Sequence, residues 1–273
     1  MKKLIIFFLI PLFSIMAQTY NDTLDTVERL MEAGKSQEAA EILNRVIEND
    51  PENPRAYFIA GCIYSDANDH ENAIKAYDNA IALDSKNAEF YYNRSISCNY
   101  MMDFGQAESD LTKAIEHDPK MATAYHNRAV TRQLMGKIDE AGEDIDKALN
   151  LDPDNPKYRV FKGKLLEQNS KIDEALALYD EVIENGDGYA PAFYQKAKYL
   201  FRNSEYDAAL ENANQAVKIA PNYLDAILMR AVILTIKGEK DEAEKSAKKA
   251  LALDPDNKDA KALLNIENEN SEE

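Results

Sequence analysis

The chain of 273 residues carries 32 Lys and Arg against 49 Asp and Glu, a formal charge of −17. That balance argues against nucleic acid and anionic membrane surfaces as partners, since both need a positive footprint. Two Cys, three His and no Trp exclude a disulfide-dense scaffold and disfavour a structural zinc site, while nine Gly and nine Pro disfavour a turn-rich all-β fold.

Lys2 and Lys3 open the chain, residues 4–16 are almost wholly apolar, and Ala17 follows. A positive start, an apolar run and a small residue are the build of a secretory signal peptide. The run contains Pro11 and falls short of the roughly 20 residues that span a bilayer. Residues 1–17 are therefore predicted to be a bacterial signal peptide cut after Ala17, leaving no membrane insertion after its removal. The mature protein would be periplasmic or secreted.

From Tyr20 onward one period of 34 residues organises the sequence. Seven segments follow without insertion: 20–53, 54–87, 88–121, 122–155, 156–189, 190–223 and 224–257. Position 20 of each is Ala39, Ala73, Ala107, Ala141, Ala175, Ala209 and Ala243. Position 8 is small in all but the first: Gly61, Ser95, Ala129, Gly163, Ala197 and Ala231 follow Val27. Gly34, Gly136 and Gly238 share position 15, and Pro51, Pro119, Pro153, Pro221 and Pro255 share position 32. In the fourth segment Tyr125, Arg128, Ala129 and Arg132 recur at helical spacing. Gly136 then ends that helix by taking the left-handed conformation. Ile138, Ala141, Ile145, Ala148 and Leu149 mark a second helix, which Pro153 stops. A helical pair of this size cannot bury its apolar face alone, so neighbours stack.

With an aromatic at position 4 (Tyr57, Tyr91, Tyr125, Phe193) and Ala at position 27 (Ala80, Ala114, Ala148, Ala216, Ala250), the pattern resembles the tetratricopeptide repeat. The expected fold is all-α: a right-handed superhelical solenoid of seven helix-turn-helix repeats over residues 18–266, closed by a capping helix over 258–266. Residues 267–273 are expected to be an acidic, disordered tail. Between repeats five and six the proline turn gives way to Gly186 and Gly188, read either as loop drift or as a hinge.

Positions 4, 8 and 11 of each first helix are expected inside, and positions 2, 5, 9, 12 and 13 on the opposite stripe. The resemblance implies that this stripe lines a concave groove where a protein or peptide docks. In this chain the groove candidates are Phe58, Tyr92, Ile96, Tyr100, His126, Val130, Lys157, Phe161, Lys164, Tyr194, Lys198 and Arg202, continued in repeat seven by Leu228, Val232 and Ile236. The stripe reads as apolar in the middle and basic in repeats five and six. Two reasons for the basic cluster stand side by side: pairing with acids on adjacent helices, or an acidic partner segment. One subclass of these repeats clamps a terminal carboxylate with Lys at position 5 and Asn at 9 in one unit, Asn at 6 in the next, then Lys at 2 and Arg at 6. Here Asn93 and Asn127 occupy position 6, but no unit carries Lys at 5, Asn at 9 or Arg at 6, so the clamp is incomplete.

His70, His117 and His126 lack ligand spacing and no phosphate loop or nucleophile motif stands out. Cys62 and Cys98 point to different faces and make poor disulfide partners. His70 and His117 are expected at the surface. The expectation is a non-enzymatic interaction scaffold without cofactor, metal or small-molecule substrate. The alternatives are an accessory subunit that positions a catalytic partner or its substrate, and a periplasmic holdase.

Overall fold

A computed structural model describes residues 20–186 and 188–270, with side chains described through Leu264. The predicted signal peptide lies outside these residues. Among them the chain is an all-α solenoid. A first helix, α1, covers residues 20–32. It is followed by α2 (Ser36–Asn49), α3 (Pro54–Asp66), α4 (His70–Leu83), α5 (Ala88–Tyr100), α6 (Phe104–His117), α7 (Ala122–Leu134) and α8 (Ile138–Leu151). These eight form one compact unit that ends at Leu151. A second begins at Asp152 and contains α9 (Pro156–Gln168), α10 (Ile172–Glu184), α11 (Ala190–Arg202), α12 (Tyr206–Ile219), α13 (Leu224–Lys237), α14 (Lys240–Leu253) and α15 (Lys258–Asn270). No helix among the described residues is long and apolar enough to cross a membrane.

Local chemistry sets the helix ends. The side chains of Asn53, Asn87 and Asn155 accept hydrogen bonds from backbone N–H groups of the first turns of α3, α5 and α9, satisfying donors that a helix start leaves open. Pro54 and Pro156 stand in the first turn, where no N–H is missed. Position 15 takes a positive φ in all seven repeats. Gly34, Gly136 and Gly238 do so at no steric cost, whereas Asn68, Met102, Ser170 and Ser204 hold the same turn at φ 58–63° against the preference of a side chain for the other hand. This one residue reverses the chain between the paired helices.

Inside each pair the fit rests on positions 8, 20 and 24. All seven position-20 alanines are buried. Position 8 faces position 24 of the second helix, and their sizes are complementary in several repeats. Gly61 lies under Tyr77 and Gly163 under Tyr179: an added Cβ would sit 2.6 Å from Tyr77 Cδ1 and 2.9 Å from Tyr179 Cζ. Where position 24 is Leu111 or Ile145, position 8 is Ser95 or Ala129, all four buried. Position 3, which the repeat pattern did not single out, is buried in repeats two to seven as Ala56, Phe90, Ala124, Tyr158, Ala192 and Ala226. Position 11 departs from the expected inside face in repeat two, where Tyr64 is exposed.

A polar rung joins successive second helices. The guanidinium of Arg94, at position 7, donates to both carboxylate oxygens of Asp110 at 2.8 and 2.6 Å and to Asp78 of the preceding repeat at 2.5 Å. Arg128 does the same with Asp144 and Thr112, and Arg230 with Ser246 and Asn214. Lys196 reaches Asp180 of the preceding repeat. The position-4 rings of Tyr91 and Tyr125 lie under Arg94 and Arg128, with ring centroids 5.8 and 5.7 Å from the guanidinium carbons. Burial works against the Arg94 charge, but hydrogen bonds and attraction from Asp110 and Asp78 outweigh it and hold the guanidinium more firmly protonated. Removing such an arginine strands a buried carboxylate, at a cost of about 3–5 kcal/mol.

Of the predicted tail, residues 271–273 lie outside the described residues. The last helix does not stop at Ile266 but runs to Asn270, because residues 267–270 hold neither Gly nor Pro and Glu extends a helix readily. At the irregular junction Gly186 and Gly188 both take positive φ. The core continues past it, with Val160, Tyr179 and Val182 packed with Ala192 and against Tyr189.

Gly61→Ala is expected to destabilise the protein by about 1–3 kcal/mol through overpacking. Adding Tyr77→Leu, the size repeat three uses, should make the double variant lose less than the sum of the two single losses. Met102→Gly should stabilise by about 0.5–1 kcal/mol, by releasing a side chain from the left-handed turn. Urea denaturation of each variant checks all three expectations.

Candidate functional site

The predicted groove stripe divides between the two compact units. In the first, Phe58 is half-buried and its ring packs on Phe90 at 5.1 Å and on Tyr77 at 6.0 Å. Tyr92 is half-buried and its hydroxyl accepts from Asn127 Nδ2 at 3.2 Å. Asn99 Nδ2 donates to Thr131 Oγ1 at 2.9 Å. These contacts tie α5 to α7, so the inner stripe is partly covered by the next first helix. His126 is 4% exposed, with Nδ1 3.1 Å from Asn127 Oδ1, and it is not a groove residue. Ile96 and Val130 are half-buried. Tyr100 is 68% exposed and stacks parallel on His70 at 4.4 Å. That stack makes His70 half-buried rather than a surface residue, while His117 is exposed as expected and lies against Tyr91. The two asparagines that matched the carboxylate clamp are occupied within the fold, Asn93 on the carbonyl of Glu89 and Asn127 on Tyr92.

In the second unit the basic residues are not equivalent. Lys157 is exposed at the start of α9. Lys164 Nζ lies 5.8 Å from the centre of the Phe161 ring, and Phe161, at 6% exposure, supports that cation from below instead of lining a groove. Lys198 and Arg202 both face Glu167, each 3.8 Å from Oε2. The other oxygen of Glu167 accepts from the Tyr179 hydroxyl at 2.7 Å. Burial first, then Glu167, raises the Tyr179 pKa and keeps that hydroxyl a donor. Of the two reasons offered for the basic cluster, pairing with an acid on an adjacent helix therefore accounts for Lys198 and Arg202.

What the residue pattern did not single out is a cleft of about 480 Å³ between α11, α13 and α15. Its walls are Tyr194, Phe201, Leu228, Val232 and Leu263, with Asp225 and Asp259 at its edge. Tyr194 was on the predicted stripe, as were Leu228 and Val232. Phe201 falls at position 12 of the same stripe, and Leu263 comes from the capping helix. Tyr194 sets its ring edge-on to Tyr223 at 5.3 Å. Burial first, then Asp225, raises the Tyr194 pKa while Arg202 works to lower it.

A sequence profile described as tetratricopeptide repeat matches residues 24–88, 134–190 and 194–258, more than half of the chain. The chain belongs to the tetratricopeptide repeat family. No curated protein matches it, but solved structures share the fold. A tetratricopeptide repeat protein from Parabacteroides merdae is 19% identical with a TM-score of 0.75, over 92% of this chain and 99% of the other. Yeast Tom70 is 22% identical with a TM-score of 0.69, over 94% of this chain and 58% of the other. A chain of the APC/C hetero-tetramer Cut9-Hcn1 is 18% identical with a TM-score of 0.68, over 88% of this chain. This repeat protein spans 48% of that chain's length.

The described residues contain no group of three or more His, Cys, Asp or Glu able to hold a metal ion. Cys62 and Cys98 are free thiols, the first half-buried and the second buried. Burial pushes the Cys62 thiol up to about 11, against the hydrogen bond from the Tyr77 hydroxyl and with the help of nearby acids such as Asp66. Burial also pushes Cys98 up to about 12, reinforced by Asp110. Because the thiolate is the nucleophile, iodoacetamide at pH 8 should alkylate Cys62 on the order of 100-fold more slowly than a free thiol, and Cys98 more slowly still. Mass spectrometry of the intact protein over time checks this.

Proposed function

We propose that this tetratricopeptide repeat protein is a non-enzymatic scaffold that holds a segment of a partner protein against the inner face of its first helices. The observation that carries the reading is the apolar cleft between α11, α13 and α15, because soluble domains rarely leave a concave apolar surface of this kind without a ligand. The fold supports it: stacked helical pairs present extended surfaces that bind by shape and side chain, with no bond-making group required. The signal-like sequence of residues 1–17 supports action in the bacterial envelope or outside the cell, from a mature start at Gln18.

The test is a pull-down from envelope extract with the wild type and with Val232→Glu, which places a charge in the cleft wall. One or two stoichiometric partners are expected, lost in the variant while its circular dichroism is unchanged. A long roster of unfolded clients would mean a holdase instead. Undiminished capture by the variant would remove the cleft from the function.

A further inference from the structure

The cleft has a chemical bias of its own. Asp225 and Asp259 each occupy the second residue of a first-type helix, α13 and α15, and both are exposed at the cleft edge. Neither is in a salt bridge among the described residues, and no lysine or arginine lines the cleft. Arg202, on one wall helix, faces Glu167 on α9, and Lys261 of the capping helix is drawn to Asp256. The two carboxylates thus border an apolar surface without a cation of the cleft to neutralise them.

Resting on the docking function above, we propose that this cleft selects a partner segment in which a large apolar side chain stands beside a lysine or arginine. The apolar side chain would enter between Tyr194, Leu228, Val232 and Leu263. The neighbouring cation would meet Asp225 and Asp259. The cleft volume falls in the range of about 300–1,000 Å³ typical of ligand sites, enough for an anchor of this type. Tyr194 adds an aromatic face, which attracts cations in its own right. Long-range steering acts in the same direction, since the chain carries a net charge of −17 and complementary charge raises the rate of encounter. The charge preference is opposite to the acidic segment that the basic residues of repeats five and six suggested, because Lys198 and Arg202 already face Glu167.

Random twelve-residue peptides displayed on phage and selected on the full chain test the proposal. Enriched peptides should carry Leu, Ile, Met or Phe within a few residues of Lys or Arg. A labelled synthetic copy of the best one should bind at least about tenfold more weakly to Asp225→Lys/Asp259→Lys, and more weakly as salt rises. Replacing its cation by Glu should restore binding to that double variant. Enrichment of acidic peptides would overturn the proposal, as would equal binding to wild type and double variant. If Val232→Glu abolishes binding while the double charge reversal does not, docking in the cleft stands and the charge preference falls. If Val232→Glu leaves binding intact, or no peptide is enriched, both fall. Self-association of the wild type that Val232→Glu abolishes would make a second copy the occupant and overturn the proposal as well. Circular dichroism of each variant confirms that it is folded.

Discussion

How closely the two helices of a pair approach is decided by what stands at positions 8 and 24. Gly61 and Gly163 accept the rings of Tyr77 and Tyr179 at distances that no Cβ would permit, and smaller partners accompany Ser95 and Ala129. Dense packing makes this a joint constraint, since volume added to one side must leave the other. The buried alanines at position 20 and the left-handed residue at position 15 serve the same approach, one by staying small and the other by turning the chain within a single residue. Once the pair closes, its outer flank can carry the polar rung from Arg94 to Asp110 and Asp78. Its inner flank becomes the surface on which a groove can form.

Most of the fold was legible because these constraints recur every 34 residues. Seven alanines in register need no structure to be noticed, and Gly136 marks a turn by its chemistry. The left-handed turn at Met102 and Ser204 was not legible from residue type, since neither favours it. Only the register exposes them. The size match of Gly61 with Tyr77 was also in the sequence, but it becomes visible only when positions 8 and 24 are known to touch.

The site was less legible, for a geometric reason. A helical wheel assigns one inside and one outside, whereas a first helix in a stack also touches the next first helix. Phe58 spends its ring on Phe90 of the next first helix, and His126 and Phe161 are buried although the wheel puts them outside. Charge alone left two readings of the basic cluster open. Lys198 and Arg202 stand out in an acidic chain, yet Glu167, one helix away and 15% exposed, faces both. The cleft between α11, α13 and α15 needed the capping helix to supply Leu263, and a helix read only as a cap is easily passed over as a wall.

The polar rungs bear on how such an array can change length. In repeats three, four, six and seven the cation at position 7 meets what the preceding repeat holds at position 25, so these junctions accept some neighbours and refuse others. A tandem copy of repeat three would set a second Arg94 against Thr112, the acceptor that Arg128 already uses. A copy of repeat six would set a second Lys196 against Asn214, which accepts from Arg230 in the existing order. Repeat seven differs. Its position 25 is Lys248, paired with Glu244 on its own helix, and the helix that follows carries Leu264 where repeats three to seven carry a cation. Any cationic repeat copied after it would bring like charges together. Duplication of repeat three or six therefore keeps an acceptor for every cation, whereas a cationic repeat added after repeat seven would meet Lys248.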